Sequence, residues 1–392
     1  NRTEAACEIK AVGADDPGCR IMAPKAVFRV IKVSGLKPAQ ANILKQEMLA
    51  KGGEAAVSRG VINNSVTETD VLLMGTLRQY EELIAKLRLQ PFGLAKLGEE
   101  LRETLTNLEG RKAYRLNCRG RDLTVGERTL VMGVLNVTPD SFSDTVRYNT
   151  VEAARARALE MVAQGADIID VGGESTRPGH TPVSVEEELR RVIPVLEAII
   201  PLVPTPVSVD TTKPRVAKAA LEAGAHIIND QWALADPEMA PLIASAKAPV
   251  ILMHNRKGTG YKDLIGDIIG YFEERIAYAL AAGIPAENIV IDPGIGFGKT
   301  PQQNIEVMQR LEELNSLGFP ILVGTSRKSF IGYALDLPVT ERLEGTAATV
   351  SVAIMKGADI VRIHDVKEMV RVARMTDILK KKPVVSNQNS EG

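Results

Sequence analysis

The chain is poor in cysteine, histidine and aromatic residues, and neither sign of charge is in excess. Three cysteines in 392 residues, Cys7, Cys19 and Cys118, are too scattered for a disulfide framework or a zinc spacing. They point to a reducing, cytoplasmic setting. Four histidines, His180, His226, His254 and His364, lie far apart without the HExxH spacing of a zinc protease. No Ser-His-Asp arrangement is visible from spacing. A formal net charge of −1 leaves no broad basic surface for nucleic acid or an anionic membrane, although a local anion pocket needs only a few cations. No apolar run is long enough to cross a bilayer. The opening NRTEAACEIKAVGADDPGC lacks the basic-then-apolar order of a signal peptide, and residues 1–24 read as a ragged or disordered terminus.

Nucleotide motifs are imitated and then denied. DPGIGFGKTP (Asp292 to Pro301) ends like a P-loop, but the position needing the first glycine is Pro293, which has no N–H to give a phosphate. Its glycines run G-x-G-x-G, which fails the dinucleotide fingerprint as well.

What the chain does have is repetition. A helical stretch, Gly-Ala and a branched apolar run recur in AQGADIIDV (Ala163 to Val171), EAGAHIIND (Glu222 to Asp230) and MKGADIVRI (Met355 to Ile363). The glycine suits a helix C-cap and the branched run a strand buried on both faces. Widening the pattern gives eight strands, TLVMGVLN, ADIIDV, TPVSVD, HIIND, APVILMH, NIVID, PILVGTS and DIVRIHD, each separated by room for a helix. That alternation predicts an α/β fold, a (β/α)8 TIM barrel, over residues 111–392. An open doubly wound sheet is the alternative. Residues 25–110 read as a small α/β N-terminal domain with strands in KAVFRVIKVSG and DVLLMG and three helices, a packing, oligomerisation or regulatory unit. Residues 111–128 read as a hairpin closing the bottom of the barrel.

The strands end in Asn136, Asp170, Asp210, Asn229, His254, Asp292, Ser326 and His364. In this fold the active site lies at those ends. Asp210 and Asp292, at the mouth of an apolar barrel, need partners, and a guanidine-like heterocycle edge offers them; general acid–base work is the rival role. Arg177 after strand two offers a donor fork, and the loop around Pro139 after strand one suits a lid. Arg327 and Lys328 follow strand seven and Arg362 and His364 stand at strand eight, and the loops after these two strands are the usual phosphate site. Any metal is expected to be a diphosphate-bound Mg²⁺ with few protein ligands.

NVTPDSFSD, DVGGESTRPG, SVDT, IIND, LMH, DPGIGFGK, GTSRKS and RIHDV, in that order, resemble the dihydropteroate synthase family from about Leu130 to Leu379. The resemblance implies a transferase of folate biosynthesis, sensitive to sulfonamides, that joins 6-hydroxymethyl-7,8-dihydropterin diphosphate to 4-aminobenzoate. It implies that Asp210, Asn229, Asp292 and Lys328 hold the pterin, with Met253 and Phe297 beside it. Asn136, Arg362 and His364 are implied to hold the diphosphate and its Mg²⁺, Asn136 as metal ligand. Thr176, Arg177, Pro178 and Ser326 are implied at the aminobenzoate, and Lys328, Arg362 and His364 as catalytic groups. A homodimer through the late barrel helices is implied too. Gln231-Trp232 and Asn255 to Gly260 depart from the commoner family pattern. The rivals are a pterin-dependent methyltransferase using methyltetrahydrofolate, which needs neither STRPG nor SRKS, and a non-catalytic pterin-binding paralogue.

Overall fold

A computed structural model describes residues 1–110, 113–137, 150–174 and 183–380. The chain divides in sequence between Arg111 and Lys112 into an N-terminal unit and a barrel unit.

The first residues are helical, not ragged. Asn1 Oδ1 accepts the Glu4 N–H at 3.0 Å and opens α1 (Arg2–Ala11) with a reciprocal cap. Asp15 Oδ1 accepts the Gly18 N–H at 2.7 Å at the start of α2 (Asp16–Met22), with Pro17 in the first turn where its missing N–H costs nothing. Ala5 packs on the N-terminal core and Cys19 is buried, so caps and tertiary contact together outweigh the polar composition. Next come β1 (Phe28–Leu36), α3 (Pro38–Ala50), β2 (Glu54–Val57), β3 (Thr69–Thr76), α4 (Leu77–Leu87) and α5 (Leu94–Glu109). The sheet is antiparallel in the order β1-β3-β2. β2 escapes a sequence reading because Glu-Ala-Ala-Val has almost no strand propensity, and its pairing with β3 makes it a strand. Leu44, Met48, Leu73, Tyr80, Leu83 and Leu87 form the core, and Tyr80 donates its hydroxyl to the Leu73 carbonyl at 2.9 Å.

In the second unit a short hairpin, β4 (Tyr114–Leu116) and β5 (Leu123–Val125), precedes the barrel. Leu116, Cys118 and Val125 pack with Leu130, Ile168, Ile227, Val290 and Ile360 near the strand starts, so the hairpin plugs the bottom. The barrel follows as β6 (Leu130–Asn136), α6 (Val151–Ala163), β7 (Ile168–Gly172), α7 (Val185–Ile199), β8 (Val207–Asp210), α8 (Pro214–Glu222), β9 (Ile227–Asp230) and α9 (Met239–Ala246). It continues through β10 (Val250–Met253), α10 (Leu264–Ala281), β11 (Ile289–Asp292), α11 (Pro301–Gln309), β12 (Leu322–Val323), α12 (Ser329–Leu335), α13 (Leu343–Met355), β13 (Ile360–Ile363) and α14 (Val366–Lys380). Eight parallel strands run in the order β11-β10-β9-β8-β7-β6-β13-β12. A parallel bridge from Ile291 to Ile321 joins the two ends and closes the barrel. All eight expected strands are present, though β12 is trimmed to two residues because the chain leaves the ladder at Gly324.

The recurring glycines do what their Gly-Ala context implies. Gly165, Gly224 and Gly357 have φ of 98°, 99° and 106°, the left-handed backbone that turns each helix into the next strand. Among the described residues, no helix is long and apolar enough to cross a membrane.

Candidate functional site

The strand register brings the polar ends together. Asp210 pairs across the ladder with Gly172 on one side and Asn229 on the other. From β13, Arg362 reaches across: Nε donates to Asp170 Oδ2 at 2.7 Å and Nη2 to Asp210 Oδ2 at 3.0 Å. Asn229 Nδ2 donates to the same Asp170 oxygen at 3.2 Å. Asp170 is fully buried and its Oδ1 accepts no hydrogen bond from the described residues. Burial pushes Asp210 up to about 7; Arg362 opposes that rise and Asp170 adds to it.

Beside this triad stands the glycine-rich stretch. Asp292 Oδ1 accepts the Gly294 N–H at 2.8 Å, and burial raises this carboxyl too, against the pull of Lys328. Lys328 Nζ donates to the Ile295 carbonyl and lies 4.8 Å from the centroid of the Phe297 ring. Burial lowers Lys328 to about 8, with Asp292 opposing. The glycines serve the protein more than a ligand. Gly294 is left-handed at φ 65°, and a Cβ there would stand 2.0 Å from the His254 carbonyl oxygen. Only glycine lets the loop lie against β10 so closely.

Lys299, the lysine of the false P-loop, turns inward. Its Nζ donates to the Gly294 and Phe297 carbonyls at 3.1 and 3.2 Å and meets His254 Nδ1 at 3.0 Å. Burial lowers Lys299 to about 7 and His254 to about 3. Thr300 caps α11 through Gln303. Gly-Lys-Thr is therefore structural, and His254 lies beneath the loop instead of at the mouth.

On the cationic side, Ser326 Oγ accepts the His364 backbone N–H at 3.1 Å and meets His364 Nδ1 at 2.9 Å. The serine thereby holds the His364 ring in place at the cavity, where an imidazole N–H is a donor suited to phosphate oxygen. Arg327, which the sequence placed at the same anion site, makes an ion pair of its own. Its guanidinium grips Asp365 at 2.9 and 2.5 Å, which fixes the loop after β12.

A cavity of about 500 Å³ opens here. Asn136, Asp210, Asn229, Met253, Asp292, Phe297, Ser326, Lys328, Arg362 and His364 all line it. Thr176, Arg177 and Pro178, and the loop around Pro139, lie outside the described residues. Several lining residues were not named as ligands from the sequence, Gln231, Glu174 and Arg342 among them. Gln231 lines the cavity and donates to both oxygens of Asp210 at 2.8 and 2.7 Å. Glu174 also lines it, tied by Lys213 to the buried Glu188. For Gln231 the signal was a polar residue directly after the strand end Asp230. For Glu174 it was the Gly-Gly-Glu that ends strand two.

Residues 132–364 match the pterin-binding enzyme family. A dihydropteroate synthase of Clostridium beijerinckii is 54% identical over 261 residues, covering 66% of this chain and 97% of that protein. A Halobacterium salinarum protein, described as a probable bifunctional folylpolyglutamate synthase/dihydropteroate synthase, is 44% identical over 368 residues. That match covers 92% of this chain, and so reaches into the N-terminal unit, but only 44% of the relative. A dihydropteroate synthase structure from Clostridium difficile, determined in the presence of pteroic acid, is 52% identical with a TM-score of 0.63, covering 66% of this chain and 99% of that one. The barrel, the grouping of acceptors and cations in one cavity, and these matches agree: the chain belongs to the dihydropteroate synthase family of pterin-binding enzymes.

Proposed function

We propose that the barrel condenses 6-hydroxymethyl-7,8-dihydropterin diphosphate with 4-aminobenzoate to give 7,8-dihydropteroate and diphosphate. One observation carries the reading: the hydrogen-bond acceptors Asp210, Asp292 and Asn229 share a single cavity with the donors Lys328, Arg362 and His364. The acceptors suit the N–H edge of a pterin, and the cations suit a diphosphate. Met253 and Phe297 supply apolar faces for the ring. The Clostridium difficile relative, whose structure was determined with the pterin–aminobenzoate conjugate pteroic acid, supports the same pairing of substrates.

The bond from the pterin methylene to oxygen breaks first, and its electron pair leaves with the diphosphate. The aromatic amine of 4-aminobenzoate then forms the new C–N bond and loses a proton. Charge builds on the diphosphate as it departs, so Arg362 and His364 act chiefly as electrostatic stabilisers. Asp210 and Asp292 keep the electron-poor pterin in place.

Mg²⁺ belongs to this proposal. Among the described residues, no group of three or more His, Cys, Asp or Glu converges as a metal site. Asn136 offers an amide oxygen, and a side chain at Gly172 would begin 3.5 Å from that oxygen, so glycine leaves room beside it. This donor set fits a hydrated ion carried in on the diphosphate, with Asn136 giving one oxygen. When bound, the ion neutralises charge on the leaving group.

The deciding assay measures diphosphate release from the purified protein, with the pterin diphosphate, 4-aminobenzoate and Mg²⁺ omitted in turn. Release that requires the aminobenzoate, with dihydropteroate as product, is expected. Pterin binding without release under any condition would overturn the reading in favour of methyl transfer or binding alone.

We further place the protein in the reducing cytoplasm, in keeping with three free cysteines, and infer a homodimer through the late helices. Met355 on α13 and Met375, Ile378 and Leu379 on α14 are all more than half exposed, an apolar patch that suits a second copy. Light scattering should give twice the chain mass, and Met375→Asp with Ile378→Asp should return the monomer. A wild-type monomer at assay concentration would contradict this.

A further inference from the structure

Gln231 follows β9 in a turn that is locked from several sides. Asp230 is buried and accepts the N–H groups of Trp232 and Leu234 at 2.9 and 2.8 Å. Arg275 donates to the carbonyls of Ala233 and Leu234, both at 2.7 Å. Ala233 and Leu234 hold left-handed backbone, at φ 47° and 63°. Such conformations persist in residues with side chains only where the surroundings over-determine them. The turn thus delivers the Gln231 amide to one place.

That place is the carboxylate of Asp210. An ionised carboxylate has about four acceptor directions. Gln231 Nε2 sits within hydrogen-bond distance of both oxygens, 2.8 Å from Oδ1 and 2.7 Å from Oδ2, and Arg362 takes a further direction on Oδ2. One direction, on Oδ1, is left for a ligand N–H. The groups bearing on Asp210 are Asp170 from β7, Glu188 from α7, Arg362 from β13 and Lys328 after β12. Two of these are anionic and push its proton on, so the donors Arg362 and Gln231 are what keep it ionised.

We propose that Gln231 is a positioning residue for pterin recognition: its amide fixes the plane of the Asp210 carboxylate, holds it in the ionised form and leaves it one acceptor for the ring. The proposal rests on the pterin reading above and extends it to a residue outside the core grip. Lost with the amide would be both the plane and a donor that favours charge.

The experiment is calorimetric titration of the full chain with 6-hydroxymethylpterin between about pH 5.5 and about pH 9, bracketing the Asp210 transition. Wild type, Gln231→Met and Gln231→Glu are compared. Met keeps the length and volume of Gln without its N–H. Wild-type affinity should weaken as the pH falls through about 7, where Asp210 takes its proton. In Gln231→Met that midpoint should rise by about one pH unit, the size expected for losing one charge-assisted hydrogen bond. The variant then binds roughly tenfold more weakly near neutrality and recovers most of the difference at the alkaline end. Gln231→Glu, with a carboxylate facing a carboxylate, should move the midpoint further. A loss of equal size at every pH, or an unmoved midpoint in both variants, overturns the positioning role, since simple packing would act that way. No binding by wild type at any pH would instead overturn the pterin reading, and this proposal with it.

Discussion

Arg362→Met should both weaken the barrel and nearly abolish turnover, and the stability loss should depend on pH. Arg362 is one-fifth exposed, while its two partners, Asp170 and Asp210, are buried. Removing the guanidinium leaves two carboxylates facing each other without their cation. Breaking a buried pair from one side costs about 3–5 kcal/mol, since the stranded charge keeps its desolvation penalty. Asp210 already binds its proton more tightly in the folded state than an unfolded aspartate does. For such a group the folded state loses stability as pH rises from the unfolded value to the folded one. Without Arg362 the folded value climbs further, so the deficit should be larger near pH 8 than near pH 5, by roughly 1–2 kcal/mol. Thermal unfolding of wild type and variant at both pH values checks this. An equal deficit at both would show that Asp210 does not depend on Arg362 for its charge. Turnover should fall about 10²- to 10³-fold, the size found when a transition-state donor is removed. Arg362→Lys keeps the charge but not the fork, and should restore stability better than rate.

The barrel was legible because a strand buried on both faces must be written in branched apolar residues, and eight such runs ending in polar groups fit few folds besides this one. Asp210, Asn229, Asp292 and His364 were legible as candidates through their place at strand ends, and all four line the cavity; the family resemblance implies their roles. What the sequence hid was direction. Lys299 and Lys328 both belong to short motifs rich in small residues, yet one turns under its loop to hold carbonyls and the other enters the cavity. Arg327 follows strand seven and Arg362 lies in strand eight, yet Arg362 crosses to Asp170 and Asp210 while Arg327 closes on Asp365, the residue after His364. Spacing cannot decide such cases, because each choice depends on which partner the closed barrel brings within reach. Gln231 was visible as a departure in a turn; its bond to Asp210 was not, because it needs two strands in register. The N-terminal helices were missed for a simpler cause. Their caps, Asn1 with Glu4 and Asp15 with Pro17, are readable signals that polar composition obscured.

Lys328→Met should cost about 10²- to 10³-fold in turnover while leaving the fold intact or firmer. The lysine is half-buried, and desolvation brings its folded pKa to about 8, well below that of a free lysine. A desolvated ammonium of this kind lowers stability at neutral pH, and its cost fades as pH rises towards the unfolded value. Met keeps an apolar stem of similar length and removes the desolvated charge, so the thermal midpoint at neutral pH should hold or rise. Asp292 loses its opposing cation and will take a proton more readily, which limits the gain. The rate tells more. In wild type the working form has Asp210 ionised and Lys328 protonated, so kcat/KM should trace a narrow bell, with an acid limb near 7 and an alkaline limb near 8. The two groups sense each other, so these limbs belong to the coupled site and not to either residue alone. In Lys328→Met the alkaline limb should vanish from the residual activity and the acid limb should remain. If the alkaline limb survives in the variant, another group sets it, and the ammonium beside Phe297 is not the proton that the reaction requires.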